Sequence, residues 1–363
     1  MGLIVPDGPA FAHWSDNLTY PSAAAFDYGV GIVPGTSNAD GSAVTVLPAL
    51  AHDCEYLVLG VSGIYANAGN TSALLDVLVD PAGGTSWSEA ISNLLCGYTR
   101  EIDLIGTTNA ACAGLPLLYH FPMWLRAGTS IGALARCAHG STISNARVVA
   151  YAAGGNKNPA SWWCGQKVET VGTFDAANSR GQSHTPGAGV AVSGAADNGS
   201  GLIRLTVSST TSMTTGDVRY VSGVAGTVEA NGIWTITVIS GTTLDLQGSA
   251  FANAYSGGGA VSGNYSNWAN LGSAIAARAG ALQYGVQGPG STSITTRVYR
   301  FEFGAGSSRI GPSVTRGMNS IEAATHFPWG PIFCDIPAGT QMQVRGLCSV
   351  NAQSIDVAAY LVQ

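Results

Sequence analysis

Histidine and cysteine are the residues of this chain that could bind a transition metal. The sequence contains six histidines and seven cysteines, and a zinc site would need several of them at short, regular spacing. The closest approaches to such a pattern are His52 beside Asp53 and Glu55, and Cys137 two residues before His139. An odd number of cysteines without Cys-x-x-Cys spacing also argues against a complete disulfide framework. We therefore predict no metal site and interpret the cysteines as small buried apolar residues.

Catalysis would need a nucleophile with a base, or a pair of carboxylates on one cleft. A Gly-x-Ser-x-Gly turn between a strand and a helix is not recognisable. Asp76 and Asp80 flank one predicted strand, and Asp53 and Glu55 stand two residues apart, but both pairs are typical of strand edges and turns. Cleavage of a polysaccharide, the enzymatic alternative, is disfavoured further because β-helix repeats are missing. We predict a non-enzymatic protein with no catalytic residues and no cofactor.

Aromatic residues on segments rich in turn formers are the candidate contact residues. Trp162 and Trp163 follow an Asn-Pro turn and could stack on sugar rings or hold a linker against the domain that it leaves. Trp14, Tyr20 and Tyr28 lie in a segment rich in Gly, Pro, Ser and Asn, where an aromatic side chain is typical of a subunit contact. These five residues are the predicted interface or ligand contacts.

The composition limits the classes of partner. Charged residues make up 10% of the chain, against roughly 25% in ordinary proteins. With two lysines and a net charge of −6, the chain has no basic stripe, so we expect no binding to nucleic acid. A mean hydropathy of +0.21 with 46% hydrophobic residues favours a folded chain over a disordered one. No apolar run approaches the ~20 residues of a membrane span and no signal peptide is recognisable, so we expect cytosolic synthesis and no membrane insertion.

One sequence unit occurs twice. Ala127-Gly128-Thr129 is followed by Cys137, ten residues after the alanine, and Ala338-Gly339-Thr340 is followed by Cys348 at the same distance. This repeat predicts that the two cysteines occupy matched core positions in two diverged copies of one domain.

Two further pairs of residues accompany the repeat. Arg136 and Arg345 precede the cysteines, and we expect each to bind a loop carbonyl or a carboxylate. The copies close at Tyr151 and Tyr360.

Short apolar segments separated by Gly/Pro turns predict an all-β fold, made of two tandem jelly-roll-like antiparallel sandwiches with a small inserted β-barrel-like domain. A short helix is predicted only between Trp87 and Leu95. In the inserted domain, Asn231-Gly232 predicts a hairpin turn, and Trp234, Ile236 and Val238 alternate with threonines as in a strand with one buried face. The predicted boundaries are an extended N-terminal arm (1–43), the first sandwich (44–160), a linker with the opening of the second sandwich (161–196), the inserted module (197–262) and the second sandwich (263–363).

The inserted stretch resembles a small β-barrel-like module that recurs in tail and fibre proteins of tailed bacteriophages and is similar to the FCCH domain of ubiquitin-activating enzymes. The residues that carry the resemblance are Thr215-Gly216-Asp217-Val218, Gly223-Val224, Gly226-Thr227, Glu229-Ala230-Asn231-Gly232, Trp234, Leu244-Asp245-Leu246, Gly248-Ser249, Tyr255 and Gly257-Gly258-Gly259. The repeated segment, best seen at Ile336-Pro337-Ala338-Gly339-Thr340, also resembles a segment of phage virion proteins. In the first copy, Leu125-Arg126 stands in the place of Ile-Pro.

The resemblance implies a structural protein of the virion, assembled in the host cytoplasm and belonging to the tail, baseplate or fibre apparatus. It implies no ubiquitin chemistry. The expected partners are other virion proteins and copies of the same chain. The alternative is a tail fibre, head spike or decoration protein that binds a receptor or a polysaccharide of the host surface.

Overall fold

The computed structural model describes residues 30–35, 38–51, 53–62, 72–97, 117–137, 146–153, 165–174, 181–287, 297–318, 326–349 and 354–363. These residues form 23 strands and one short 3-10 turn, Val228–Ala230. The all-β fold class predicted from the sequence is confirmed.

The first eight strands form a jelly roll. They are β1 (Val30–Ile32), β2 (Val44–Leu47), β3 (Tyr56–Ser62), β4 (Ser72–Asp80), β5 (Ser88–Gly97), β6 (Leu117–Phe121), β7 (Ser130–Cys137) and β8 (Ala146–Ala153). One sheet has the order β1-β8-β3-β6 and the other contains the order β2-β7-β4-β5, which is the interleaved order of a jelly roll. Strand β1 belongs to this sandwich although residues 1–43 were predicted to be an arm outside it.

The helix predicted between Trp87 and Leu95 is wrong, because this segment lies in β5. Ala90, Ile91, Leu94 and Leu95 are all buried, and this spacing imitates a helix face. The spacing arises because the register of β5 against β4 shifts twice, between Leu75 and Val77 and between Val77 and Leu78. An extra residue in one strand of a pair turns the next side chains to the other face.

The second unit begins with β9 (Val168–Val171) and β10 (Gln182–His184) and is then interrupted by a closed barrel. The barrel strands are β11 (Val190–Asp197), β12 (Ile203–Val207), β13 (Val218–Ser222), β14 (Gly232–Ser240), β15 (Thr243–Gln247) and β16 (Ala260–Val261), in the order β11-β12-β15-β14-β13-β16. The barrel therefore starts earlier than residue 197, the predicted boundary. Its first strand has few large apolar residues, so the sequence pattern did not indicate a strand there.

Asn231-Gly232 does not form a two-residue hairpin turn. Gly232 is the first residue of β14, and residues 223–231 connect β13 to β14. The Asn231 side chain closes this wider loop, since its amide donates to the Val224 carbonyl and its oxygen accepts from the Val224 N–H, both at 2.9 Å. The predicted alternation in β14 is confirmed in that Ile236 is buried while Ile233 is exposed.

After the barrel, seven strands complete a second jelly roll. They are β17 (Ala269–Asn270), β18 (Ala279–Gln287), β19 (Arg297–Ala305), β20 (Ser308–Met318), β21 (His326–Ile336), β22 (Met342–Cys348) and β23 (Ile355–Val362). One sheet has the order β17-β22-β19-β20, and in the other β10 pairs with β23, followed by β18 and β21. The strand order of the first unit is thus repeated. Along the chain, the barrel is inserted between β10 and β17, the first two strands of the second jelly roll. Cys137 and Cys348, in β7 and β22, are both buried as the repeat predicted.

The two jelly rolls share one nine-stranded sheet. Its order is β2-β7-β4-β5-β9-β23-β18-β21, with β10 also on β23. The connection is a single parallel bridge from Ile91 in β5 to Val168 in β9. Every residue of β23 is buried. Its alternate residues line different cores: Tyr360 packs in the first core and Ala359 in the second.

Candidate functional site

The five aromatic residues predicted as contacts, Trp14, Tyr20, Tyr28, Trp162 and Trp163, lie outside the residues that the structure describes. The described residues offer three other places where function can be sought: the joint between the two jelly rolls, the base of the barrel, and the outer face of the barrel.

The joint is built around the peptide groups of Leu95 in β5. The Leu95 N–H donates to Tyr360 Oη at 2.7 Å, and the Leu95 carbonyl accepts a hydrogen bond from Tyr119 Oη. All three residues are fully buried. These polar groups need partners because β5 and β9 pair only at Ile91 and Val168, and a buried peptide group without a partner is costly. One tyrosine from each jelly roll therefore supplies the hydrogen-bond partner that a neighbouring strand would otherwise provide for Leu95.

Burial raises the pKa of Tyr119 and of Tyr360 well above the usual value. Both hydroxyls are therefore protonated at any ordinary pH and serve as hydrogen-bonding groups. Of these residues, only Tyr360 gave a signal in the sequence, because it closes the second copy of the repeat. Tyr119 and Leu95 gave none.

Polar contacts extend the joint on both sides of the tyrosines. Gln283 in β18 is 1% exposed, and its Oε1 accepts from the His120 N–H at 3.1 Å. Thr170 Oγ1 in β9 donates to the Ser92 carbonyl in β5. The joint thus combines a shared apolar core with satisfied polar groups, as in the interior of a single domain.

The base of the barrel is fixed to β22 through both connecting segments. Entering the barrel, the Gly187 N–H donates to the Gly346 carbonyl and the Cys348 N–H donates to the Gly187 carbonyl, both at 2.8 Å. Leaving it, the Gly263 N–H donates to the Cys348 carbonyl at 3.2 Å and the Ser266 N–H to the Gly346 carbonyl at 2.8 Å. The barrel is therefore held by two hydrogen-bonded segments on one strand.

Two buried polar residues strengthen this base. His184 is 5% exposed, and its Nε2 lies 3.3 Å from Ser266 Oγ; burial lowers its pKa to about 4. Arg219 in β13 is 3% exposed and binds Asp217 Oδ2 at 2.6 Å and the Ser212 carbonyl at 2.9 Å. The charge of Arg219 is thus neutralised within the barrel, and the imidazole of His184 is neutral at physiological pH.

The outer face of the barrel carries apolar side chains in contact with solvent. Val218 is 66% exposed and Ile233 is 71% exposed. Tyr220, 37% exposed, stands directly opposite Ile233 in the β13–β14 pair, and Val228 in the loop is also exposed. We call Val218, Tyr220 and Ile233 the barrel patch. Clustered exposed apolar residues indicate a contact surface.

The two repeated arginines bind carboxylates, as expected. Arg345 in β22 binds Glu302 Oε2 in β19 at 2.6 Å, and its guanidinium lies 4.6 Å from the ring centre of Tyr265 and 4.5 Å from that of Trp268. Burial opposes ionisation of Glu302, but the hydrogen bonds from Arg345 and Ser313 outweigh it and lower the pKa of Glu302.

In the first unit, Arg136 in β7 binds Asp76 Oδ2 in β4 at 3.2 Å and Asn93 Oδ1 at 2.6 Å. Burial raises the pKa of Asp76, and the Asn93 N–H and Arg136 oppose this shift. The other carboxylate of that strand, Asp80, accepts hydrogen bonds from the N–H groups of Ala82 and Ser86 and so closes a turn. Both carboxylates thus have structural partners.

Two further features bear on chemistry. Within the described residues, no group of three or more His, Cys, Asp or Glu side chains is arranged to hold a metal ion. Burial raises the pKa of the Cys54 and Cys334 thiols to about 11, so both are protonated at neutral pH, whereas the reactive form of cysteine is the thiolate.

Among the described residues there is no helix long and apolar enough to cross a membrane. Neither a model of a known protein family, nor a curated protein, nor a solved structure matches this chain.

Proposed function

We propose that this chain is a non-enzymatic structural component of a bacteriophage virion, assembled in the host cytoplasm into the tail, baseplate or fibre apparatus. The observation that carries the proposal is the joint around Leu95, Tyr119 and Tyr360. It makes two jelly rolls into one body with a continuous sheet, and residues of the second unit pack in the core of the first. Such a body suits a building block that must keep its shape between neighbours.

The inserted barrel supports the same proposal. Residues that carry its resemblance to the phage module hold its turns: Trp234 Nε1 donates to the Ala230 carbonyl at 2.7 Å, and Tyr255 Oη donates to the Val192 carbonyl at 3.0 Å. Glu229 Oε1 accepts from the N–H groups of Ala252 and Asn253 at 2.7 Å. The resemblance therefore lies in residues that determine the barrel geometry.

The experiment is to look for the chain in particles. Particles of the virus that encodes the chain are purified, analysed by quantitative mass spectrometry and labelled with antibodies against the chain for electron microscopy. We expect a fixed number of copies per particle and labelling at one position. A chain found only in the lysate, and never in purified particles, would overturn the proposal.

A second function, recognition of a host surface polysaccharide, is favoured by the barrel patch. Tyr220 and Ile233 form an apolar platform that a sugar ring could contact. The test is binding of the purified chain to host surface polysaccharide, with Tyr220→Ala as the probe and Ile239→Ser, on an exposed apolar residue of the same strand as Ile233, as the control. Trp162→Ala and Trp163→Ala test the residues predicted from the sequence. Absence of binding by the unmodified chain would exclude this function.

A further inference from the structure

The two jelly rolls use corresponding strands differently. β5 is the last strand of the order β2-β7-β4-β5, and β20 is the last strand of the corresponding order β17-β22-β19-β20. The outer edge of β5 is covered by β9, which belongs to the second unit. Among the described residues, β20 pairs with β19 alone. We call the side of β20 that faces away from β19 the β20 edge.

The correspondence extends to individual residues. In the first unit, the register shift between Leu75 and Val77 contains Asp76, which binds Arg136. In the second unit, the register shift between Phe301 and Phe303 contains Glu302, which binds Arg345. When the two units are aligned so that Asp76 corresponds to Glu302, Ile91 corresponds to Ile310. This follows because Val77 is opposite Ile91 and Phe303 is opposite Ile310.

The same alignment matches Thr315 with Leu95. Leu95 is opposite Leu74, and Thr315 is opposite Arg300. The Leu95 N–H points away from β4, towards Tyr360. By the same register, the Thr315 N–H points out of the β20 edge, and Thr315 is exposed.

The other half of the joint is also repeated. β10 pairs with the start of β23, with His184 opposite Ile355, and β1 pairs with the start of β8, with Ile32 opposite Ala146. In the second unit the preceding strand, β9, continues along β23 and bridges β5. In the first unit the corresponding segment lies before Val30, outside the described residues.

Strand β8 has the backbone position that such a segment would need. Beyond Val148, β8 pairs with β3 on one side and has no second neighbour among the described strands. Counting from the first residue of each strand, Tyr151 in β8 occupies the position of Tyr360 in β23. The repeated tyrosine of the sequence therefore marks the strand that takes part in the internal joint.

We propose that the β20 edge binds a second copy of this chain. The segment before Val30 of one copy is the occupant of the β20 edge of the next, and the contact corresponds to the joint that β9 and β5 form within one chain. This inference deepens the proposed function, since it names the surface and the partner through which the building block assembles.

The contact joins two different surfaces, so it is heterologous. It forms a ring if the rotation between copies closes and a filament if it does not.

The composition of β20 limits this pairing to a short segment. Pro312 lies in the register shift and has no N–H to donate. Prolines on edge strands discourage indiscriminate strand addition. The internal joint is equally short, since it has one parallel bridge supplemented by side-chain hydrogen bonds. A specific partner with the matching side chains is therefore required.

The test compares self-association of the purified full chain and of its variants by analytical ultracentrifugation over a range of concentrations. Thr315→Pro removes the outward N–H, while Thr315→Ala removes the side chain and keeps the N–H. We expect the unmodified chain and Thr315→Ala to associate, and Thr315→Pro to associate at least about tenfold more weakly, as for the loss of one buried hydrogen bond.

A second variant keeps the test valid if Thr315→Pro does not fold. A chain that lacks residues 1–29 should be monomeric and should bind a synthetic peptide of residues 1–29. Association of the truncated chain equal to that of the full chain, or a full chain that is monomeric throughout, would overturn the inference. Detection of the chain in purified particles is a separate result, so the proposed function stands or fails independently.

Discussion

Tyr119 and Tyr360, from different jelly rolls, bind the carbonyl and the N–H of a single residue, Leu95. Tyr360 Oη accepts from the Leu95 N–H, Tyr119 Oη donates to the Leu95 carbonyl, and the two rings lie 6.0 Å apart at an interplanar angle of 80°. The edge-to-face arrangement is a favourable one for aromatic pairs. The joint therefore depends on directional contacts as well as on burial, which makes it sensitive to single substitutions.

The substitution Tyr360→Phe tests this dependence. It removes one hydroxyl and leaves the buried Leu95 N–H without an acceptor, which costs about 1–3 kcal/mol of the free energy of unfolding. The measurement is denaturant unfolding at neutral pH. Tyr220→Phe, on an exposed tyrosine of the barrel, is the matched control and should change the free energy by less than about 0.5 kcal/mol. Equal effects of the two substitutions would contradict the role given to Tyr360.

The ion pair between Arg345 and Glu302 should contribute much more to stability than an exposed pair. Glu302 is 4% exposed and is bound by Arg345 at 2.6 Å and by Arg309 at 3.3 Å. Glu302→Ala leaves both arginines without their carboxylate, and we expect a loss of about 2–3 kcal/mol in chemical denaturation.

The matched control is Asp335→Ala, which breaks the bidentate pair of Asp335 with Arg278. The side chains of Arg278 and Asp335 are 72% and 63% exposed, so a loss of at most about 1 kcal/mol is expected. If the exposed pair proved as important as the buried one, the burial of Glu302 would not explain its contribution.

The strand content and the duplication could be predicted from the sequence because they depend on local patterns. The alternating residues of β14 and the matched Cys137 and Cys348 gave direct signals. The joint could not be predicted, since Leu95 and Tyr360 are 265 residues apart and nothing local determines which sheet edges meet. The helix predicted around Ala90 failed because a bulge moved apolar residues to helical spacing.

Gly187 should be essential for the attachment of the barrel. A Cβ at this position would lie 1.9 Å from the Asn264 carbonyl oxygen, so Gly187→Ala must push the two connecting segments apart. We expect a loss of about 1–3 kcal/mol and faster amide hydrogen exchange at Gly263, Ser266 and Cys348, whereas the barrel core around Ile236 keeps its protection.

Gly241→Ala is the control for this substitution. Gly241 lies in the barrel, and a Cβ added there would have nothing within 4 Å of it, so exchange at the barrel base should not change. Unchanged exchange at Gly263 and Ser266 in Gly187→Ala would show that the segments tolerate separation and would contradict the anchoring described above.

The buried His184 should make the chain less stable in mild acid. Burial lowers the pKa of His184 from 6.5 to about 4, so the unfolded chain takes up a proton near pH 6.5 while the folded chain does so only near pH 4. Between these values the unfolded state binds more protons, and the free energy of unfolding therefore falls as the pH falls, by up to ~3 kcal/mol at pH 4. The contribution of the neutral imidazole is complete above pH 6.5.

The variant His184→Gln separates this effect from that of the carboxylates, which also titrate in acid. Glutamine can keep a polar contact with Ser266 and does not ionise in this range. Denaturant unfolding between pH 4 and pH 7 should show a difference between the variant and the unmodified chain that changes by ~3 kcal/mol, in the sense that the variant loses less stability in acid. Parallel pH profiles for the two proteins would mean that His184 is accessible to protons in the folded chain, and the base of the barrel would then be open to solvent.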